Sequence, residues 1–214
     1  MNEAYFLHER LSRSDDVMRR VAALSVTVCG AGALGSNITE NLARGGFTYL
    51  RVIDRDRIEE RNLSTQPYYR SDVGAYKSTI LSNTLFRALR VQVDGRTDSL
   101  DDGNVRKLLG GSGLVVDTFD NSPSRQLVTD FCRRMEVPCL HVGLAADYAE
   151  VVWNAVYRVP SAAQDDICDY PLSRNLVMLT AAVAAETIVR FAAHGAQQSW
   201  TITMADMRIL PFRG

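Results

Sequence analysis

Apolar residues in this chain come in short runs separated by stretches of helical spacing, and that alternation describes a fold. Ser25-Val-Thr-Val-Cys29 and Tyr49-Leu-Arg-Val-Ile53 are short, nearly continuous apolar runs of the kind that form buried strands. Between them, Ala33–Arg44 carries apolar positions at helical intervals and stops at Gly45-Gly46, a favoured helix end. Ahead of them, Phe6, Leu7, Leu11, Met18, Val21 and Ala22 recur at helical spacing among many arginines, which predicts one surface helix or two short ones over 4–23. Residues 55–74 make a long polar connection, and connections of that length in compact domains are usually functional. A helix is then predicted over about 75–89, a strand near 91–96, and a short helix capped by Asp101 and ending at Gly110-Gly111. Leu114–Val116 reads as a strand ending at Asp117. Ser122 as N-cap with Pro123 behind it opens a helix to about Met135, and Cys139–Val142 is one more strand.

The order to this point, β-α-β-α-β-α-β-α-β, predicts an α/β fold with a doubly wound, mostly parallel sheet. The character then changes. A strand over Glu150–Val159, a polar crossover loop over Pro160–Pro171, a helix over Asn175–Ala193 and a hairpin of Trp200–Met204 with Arg208–Phe212 are expected. The chain is thus read as one domain: an N-terminal helical segment, a Rossmann-like core over about 24–143, and a C-terminal extension over about 144–214 with antiparallel strands.

The chemistry gathers where strands end. Gly30-Ala-Gly-Ala-Leu-Gly35 lies between the first strand and its helix, and Asp54 ends the second strand roughly 20 positions beyond the last glycine, as a dinucleotide-binding unit requires. Gly30 allows the tight turn, Gly32 lets backbone approach a phosphate, and Gly35 lets the helix pack on the strand. The helix N-terminus offers free N–H groups to an anion, and Asp54 can accept from ribose hydroxyls. This spacing leaves NAD, FAD and ATP open. Asp56, Asp117, Asp120 and Asn121 reach the same sheet edge, and the long connection adds Arg61, Asn62, Gln66 and Lys77. A lysine that neutralises phosphate oxygens, together with a carboxylate that holds Mg²⁺, suits a nucleoside triphosphate better than a nicotinamide cofactor.

At 214 residues, 46% hydrophobic, with a net charge of −1, the chain has enough apolar residues for a sizeable core and no general attraction to nucleic acid or acidic membranes. Cys29, Cys132, Cys139 and Cys168 are scattered without a CxxC pair, which argues against a disulfide framework or a four-cysteine zinc site. Cys29, Cys132 and Cys139 read as core residues, and His8, His141 and His194 as structural or surface residues. No secretory apolar region is visible, and Leu176–Ala193 is broken by Glu186 and Arg190. That stretch is expected to be too short and too charged for a membrane span, and to be a buried or subunit-interface helix. A cytoplasmic protein is expected.

At these residues the chain resembles the ubiquitin-activating-enzyme-like adenylyltransferases, the ThiF/MoeB/HesA group. The matching elements are the Gly30–Gly35 loop with Ser36, Asp54-Arg-Asp56, Ile58-Glu-Glu-Arg-Asn62-Leu-Ser-Thr-Gln66, and Val73-Gly74 with Lys77. Asp117-Thr-Phe-Asp120-Asn121 with Arg125, and Ala181–Glu186 in the late helix, match as well. Arg10-Leu-Ser-Arg13 is similar to the family's RYxRQ element without its tyrosine and glutamine. The resemblance implies an ATP- and Mg²⁺-dependent adenylyltransferase that activates the C-terminal glycine of a ubiquitin-like β-grasp protein; a conjugating enzyme, a sulfur-transfer protein or no further partner is left open for the next step. It implies that Asp54 binds ribose, that Asn62, Gln66 and Lys77 surround the phosphates, that Asp120 holds Mg²⁺, and that Arg13 reaches into the neighbouring site of a homodimer. Cys168, in the crossover loop, is the candidate nucleophile for a thioester.

The chain departs from the family elsewhere too. Thr65 stands where the family carries an arginine, with Arg61 and Arg70 as candidate replacements, and the paired CxxC motifs of the bacterial sulfur-carrier activators are missing. Thr65 is what favours an alternative, a non-catalytic subunit that scaffolds a partner. An NAD-dependent oxidoreductase would explain the glycine loop and Asp54 but leave Asn62–Lys77 without a purpose. A family variant acting on a tRNA nucleoside lacks an evident basic patch.

Overall fold

The computed structural model describes residues 3–161 and 171–213. Two short helices, α1 (Leu7–Ser12) and α2 (Asp15–Ala23), precede β1 (Ser25–Cys29), α3 (Ala33–Arg44) and β2 (Tyr49–Ile53). They are followed by α4 (Lys77–Leu89), β3 (Asp94–Arg96), α5 (Val105–Leu109), β4 (Leu114–Asp117), α6 (Ser122–Arg134) and β5 (Cys139–Ala145). The chain continues with β6 (Tyr148–Trp153), α7 (Arg174–His194), β7 (Trp200–Thr203) and β8 (Arg208–Pro211). The strands form one sheet in the order β3-β2-β1-β4-β5-β6-β7-β8. Strands β1 to β5 pair in parallel, and β6, β7 and β8 extend the sheet antiparallel. The chain reverses its direction of travel between β1 and β4, and ligands of such sheets bind at that point, beyond the strand carboxyl ends.

Alternation along the strands builds the layers. Val28, Val52, Val116 and Leu140 face a large core shared with α3, α4 and α7, while Cys29, Ile53, Val115 and Cys139 face a second core under α5 and α6. Helix α7 is the spine of the first core, with Leu176, Ala181, Ala184 and Ile188 fully buried. At 21 residues it is long and apolar enough to cross a membrane by length and composition, which corrects the expectation that it is too short. Packing against α3 and β6 nonetheless gives it the place of a core helix.

Other expectations shift for local reasons. Val91 and Val93 are buried, yet pairing with β2 begins only at Asp94; the Val93 carbonyl accepts instead from the Ser82 hydroxyl of α4. Strand β6 ends at Trp153, where Val156 and Tyr157 N–H groups fold back onto its carbonyl. The cap of α6 is Asn121, whose side chain accepts from Ser124 N at 3.0 Å, and Ser122 is the first helical residue. Asp101 closes the turn ahead of α5, through the N–H groups of Gly103 and Asn104, and Asn104 is the capping position.

Candidate functional site

The strand ends and the long connection enclose a cavity of about 560 Å³. Its floor is the glycine loop. Gly30 has φ +101°, and a Cβ there would lie 2.8 Å from Thr118 Oγ1; at Gly35 it would lie 2.0 Å from the Gly30 carbonyl oxygen. Both positions are glycine for internal reasons. At Gly32, the residue before α3, a Cβ would meet nothing within 4 Å, and no side chain caps the helix. Asp54 braces the loop: its carboxylate accepts from Ala31 N at 2.6 Å and from Asp56 N at 2.7 Å. Burial pushes the Asp54 carboxyl above the usual carboxylate range, against those hydrogen bonds and the nearby Lys77 charge.

The connection forms the opposite wall. Asn62 accepts from Glu59 N at 2.9 Å within a short 3-10 turn, Glu60–Ser64. Gln66 is buried, and among the described residues its Oε1 has no hydrogen-bond partner. Lys77 opens α4 with its side chain only 10% exposed and its ammonium 3.4 Å from Asp56. Arg61 lines the cavity and pairs with Glu59 at 2.7 Å, whereas Arg70 does not line it. Of the two candidate replacements for the family arginine, Arg61 is therefore the one at the site. Two buried residues missed in the sequence tie this wall to the loop. Asn37 Nδ2 donates to Thr65 O at 2.9 Å and to Ala33 O at 2.7 Å, and the Tyr68 hydroxyl donates to Ala31 O at 2.9 Å. Neither leaves a signal in the sequence; the buried side of α3 carries Ser36 and Thr39 as well as Asn37.

Beyond β4, Asp120 is exposed, and its carboxylate accepts from Asn121 Nδ2 at 3.3 Å. Leu144 and Leu172 line the cavity here; Leu172 is bridged to Ala146, and Arg174 donates to Ser64 O at 3.2 Å. Asp117 points elsewhere. It is fully buried, 2.8 Å from His141 Nδ1 and 3.6 Å from Arg125, and it accepts from Phe119 N. His141 is thus structural, as expected, and stacks on Tyr157 at 3.6 Å. Burial alone would raise the Asp117 pKa, but the Arg125 charge and the His141 hydrogen bond hold it below the usual carboxylate value.

The structure brings Gly30, Gly32, Asp54, Asp56, Asn62, Gln66, Lys77 and Asp120 around one cavity, with Gly35 packed behind the loop. Arg13 is not in the cavity of its own chain; it pairs with Glu9 at 2.7 Å and Glu186 at 2.9 Å between α1 and α7. Arg10 pairs with Asp15. Cys168 lies outside the described residues. Cys29, Cys132 and Cys139 are buried free thiols, as expected of core residues.

Residues 8–199 match the ThiF family. The chain is 32% identical over 160 residues to the SAMP-activating enzyme E1 of Haloferax volcanii, an alignment covering 73% of this chain and 54% of that protein. With the sulfur carrier protein adenylyltransferase of Thermus thermophilus it shares 37% identity over 114 residues, 52% of this chain and 42% of that one. It thus spans about half the length of these curated relatives. In fold it is similar to the crystal structure of E. coli MccB with ATP, with a TM-score of 0.81 at 20% identity, covering 100% of this chain and 72% of that chain. On the extent of the first match, the chain belongs to the ThiF family.

Proposed function

We propose that this chain is an ATP- and Mg²⁺-dependent adenylyltransferase that activates the C-terminal carboxylate of a ubiquitin-like or sulfur-carrier protein, as a cytoplasmic homodimer. The observation that carries the reading is Gly32. Packing requires Gly30 and Gly35 to be glycine, but the space in front of Gly32 is open, and it faces an uncapped helix N-terminus. A phosphate close to the backbone gives that glycine a purpose. The unpartnered Gln66 Oε1 and the nearly buried Lys77 stand on the facing wall, with Arg61 supplying the cation absent at Thr65.

In this reading the carboxylate, already ionised at pH 7, attacks the α-phosphorus, and the bond to the bridging oxygen breaks so that pyrophosphate leaves with the electron pair. No general base is needed. Lys77, Arg61 and the loop N–H groups hold the phosphates and offset charge that grows on them. Asp120 would hold Mg²⁺, which would supply positive charge to neutralise the phosphates. The exposed Asp120 carboxylate at the cavity suits that ion, because Mg²⁺ commonly takes one or two carboxylates together with phosphates and water.

The test is pyrophosphate–ATP exchange with a β-grasp protein ending in Gly-Gly. Exchange that depends on the carrier is expected. Tight NADH binding without ATP binding would overturn the reading in favour of an oxidoreductase.

A further inference from the structure

Tyr68 lies two residues beyond the phosphate-facing wall, buried, with its ring packed in the main core. It does not line the cavity, and its one polar atom is aimed at the glycine loop. The hydroxyl donates to the Ala31 carbonyl at 2.9 Å, and the Lys77 carbonyl lies at 3.4 Å from the same oxygen. Burial, with Asp54 and Asp72 nearby, pushes its pKa far up, so the hydroxyl keeps its proton and donates.

The Ala31 carbonyl belongs to the same rigid peptide unit as the Gly32 N–H. In a planar trans peptide these two groups point in opposite directions. Drawing the carbonyl towards buried Tyr68 therefore turns the Gly32 N–H the other way, and Gly32 is a cavity residue where Tyr68 is not. The preceding peptide is fixed too, since Ala31 N donates to Asp54 at 2.6 Å. Ala31 is thus held on both sides, and the residue after it carries an N–H group ahead of an uncapped helix. Glycine is the residue with most freedom to rotate out of such an arrangement, so an external anchor has a function here.

We propose that Tyr68 is a positioning residue for the nucleotide phosphates: through the Ala31 carbonyl it orients the Gly32 N–H towards them. The inference rests on the nucleotide reading above and adds to it a residue that never touches the ligand. Phenylalanine keeps the ring and removes only the hydroxyl, so Tyr68→Phe is the test. Dissociation constants for Mg²⁺–ATP and for adenosine, which has no phosphates, are measured by displacement of a fluorescent ATP analogue, alongside thermal melts of both proteins.

The expected result is an ATP affinity lower by about tenfold, the loss of roughly one charge-assisted hydrogen bond, with adenosine affinity unchanged. Equal weakening of both ligands would mark Tyr68 as merely structural, and no change in either would show that the loop holds itself; each result overturns the inference. In pyrophosphate exchange, the KM for ATP is expected to rise while the KM for the carrier stays put. Failure of the unmodified protein to bind ATP at all would sink the underlying nucleotide reading, and is told apart from the other outcomes by the wild-type titration alone.

Discussion

Gly30, Gly32 and Gly35 belong to one motif but have different reasons to be glycine, and substitution separates them. A Cβ at Gly35 would overlap the Gly30 carbonyl oxygen, so Gly35→Ala must push helix α3 off strand β1. Overpacking of that kind costs about 1–3 kcal/mol, or more where backbone is the obstacle. Gly32 has φ −76°, a value open to any residue, and empty space where a methyl group would go. Gly32→Ala is therefore expected to leave the melting temperature unchanged or slightly raised, because alanine restricts the unfolded chain more than glycine does. It should nevertheless weaken ATP binding at least tenfold, since the methyl group would stand where the phosphate approaches. Melting curves and nucleotide titrations of the two variants check this. Unchanged ATP affinity in folded Gly32→Ala would remove the phosphate from that position.

At the scale of elements, a buried charged network lies behind the site. Asp117 ends β4, Arg125 comes from α6 and His141 from β5; Arg125 also donates to Tyr157 at 3.0 Å and to the Val142 carbonyl at 3.0 Å. The network fixes the start of α6, and so the place of Asp120. Removing one partner from such a buried set leaves the other charge uncompensated, at a cost of about 3–5 kcal/mol. Asp117→Asn should lose roughly that much at pH 7. Because the folded-state pKa of Asp117 lies below its unfolded value near 3.8, its contribution is fully present above that pH and disappears as pH falls through the folded value. Urea unfolding of the two proteins should therefore give a gap that narrows below about pH 4; a gap constant with pH would contradict the charged network.

Elements with strong periodicity were readable in advance: β1, α3 and β2 fall on the expected residues, because local pattern and tertiary packing agree there. The strand expected near 91–96 is shorter, because Val91 and Val93 are buried without pairing to β2. Asn37 and Tyr68 were not legible, since their worth lies in carbonyls of distant residues that only the fold brings near.

At the scale of the whole molecule, Arg13 is the predicted site residue that the described structure places away from the cavity. Its guanidinium is held by Glu9 and Glu186 beside a surface groove between α2 and α7, lined by Val17, Val189 and Ala193, and it takes no part in the cavity of its own chain. The groove combines apolar side chains with Arg13 and Arg190 paired on Glu186, and a two-fold interface would place this same patch on both protomers. In the proposed homodimer a two-fold axis would carry Arg13 of each protomer to the phosphates of the other, and the two halves of a site would lie on different chains. Arg13→Ala and Lys77→Ala should each abolish exchange alone, since each removes a cation from every site. Mixed in equal amounts after dissociation, half of the dimers would be hybrids, each with one intact site. Recovery of roughly a quarter of wild-type activity is then expected. Exchange assays on the mixture, with hybrid formation followed by differently tagged chains, measure this directly. Hybrids that form without recovering any activity would show that Arg13 serves its own chain, and full activity in a strictly monomeric protein would dispose of the shared site altogether.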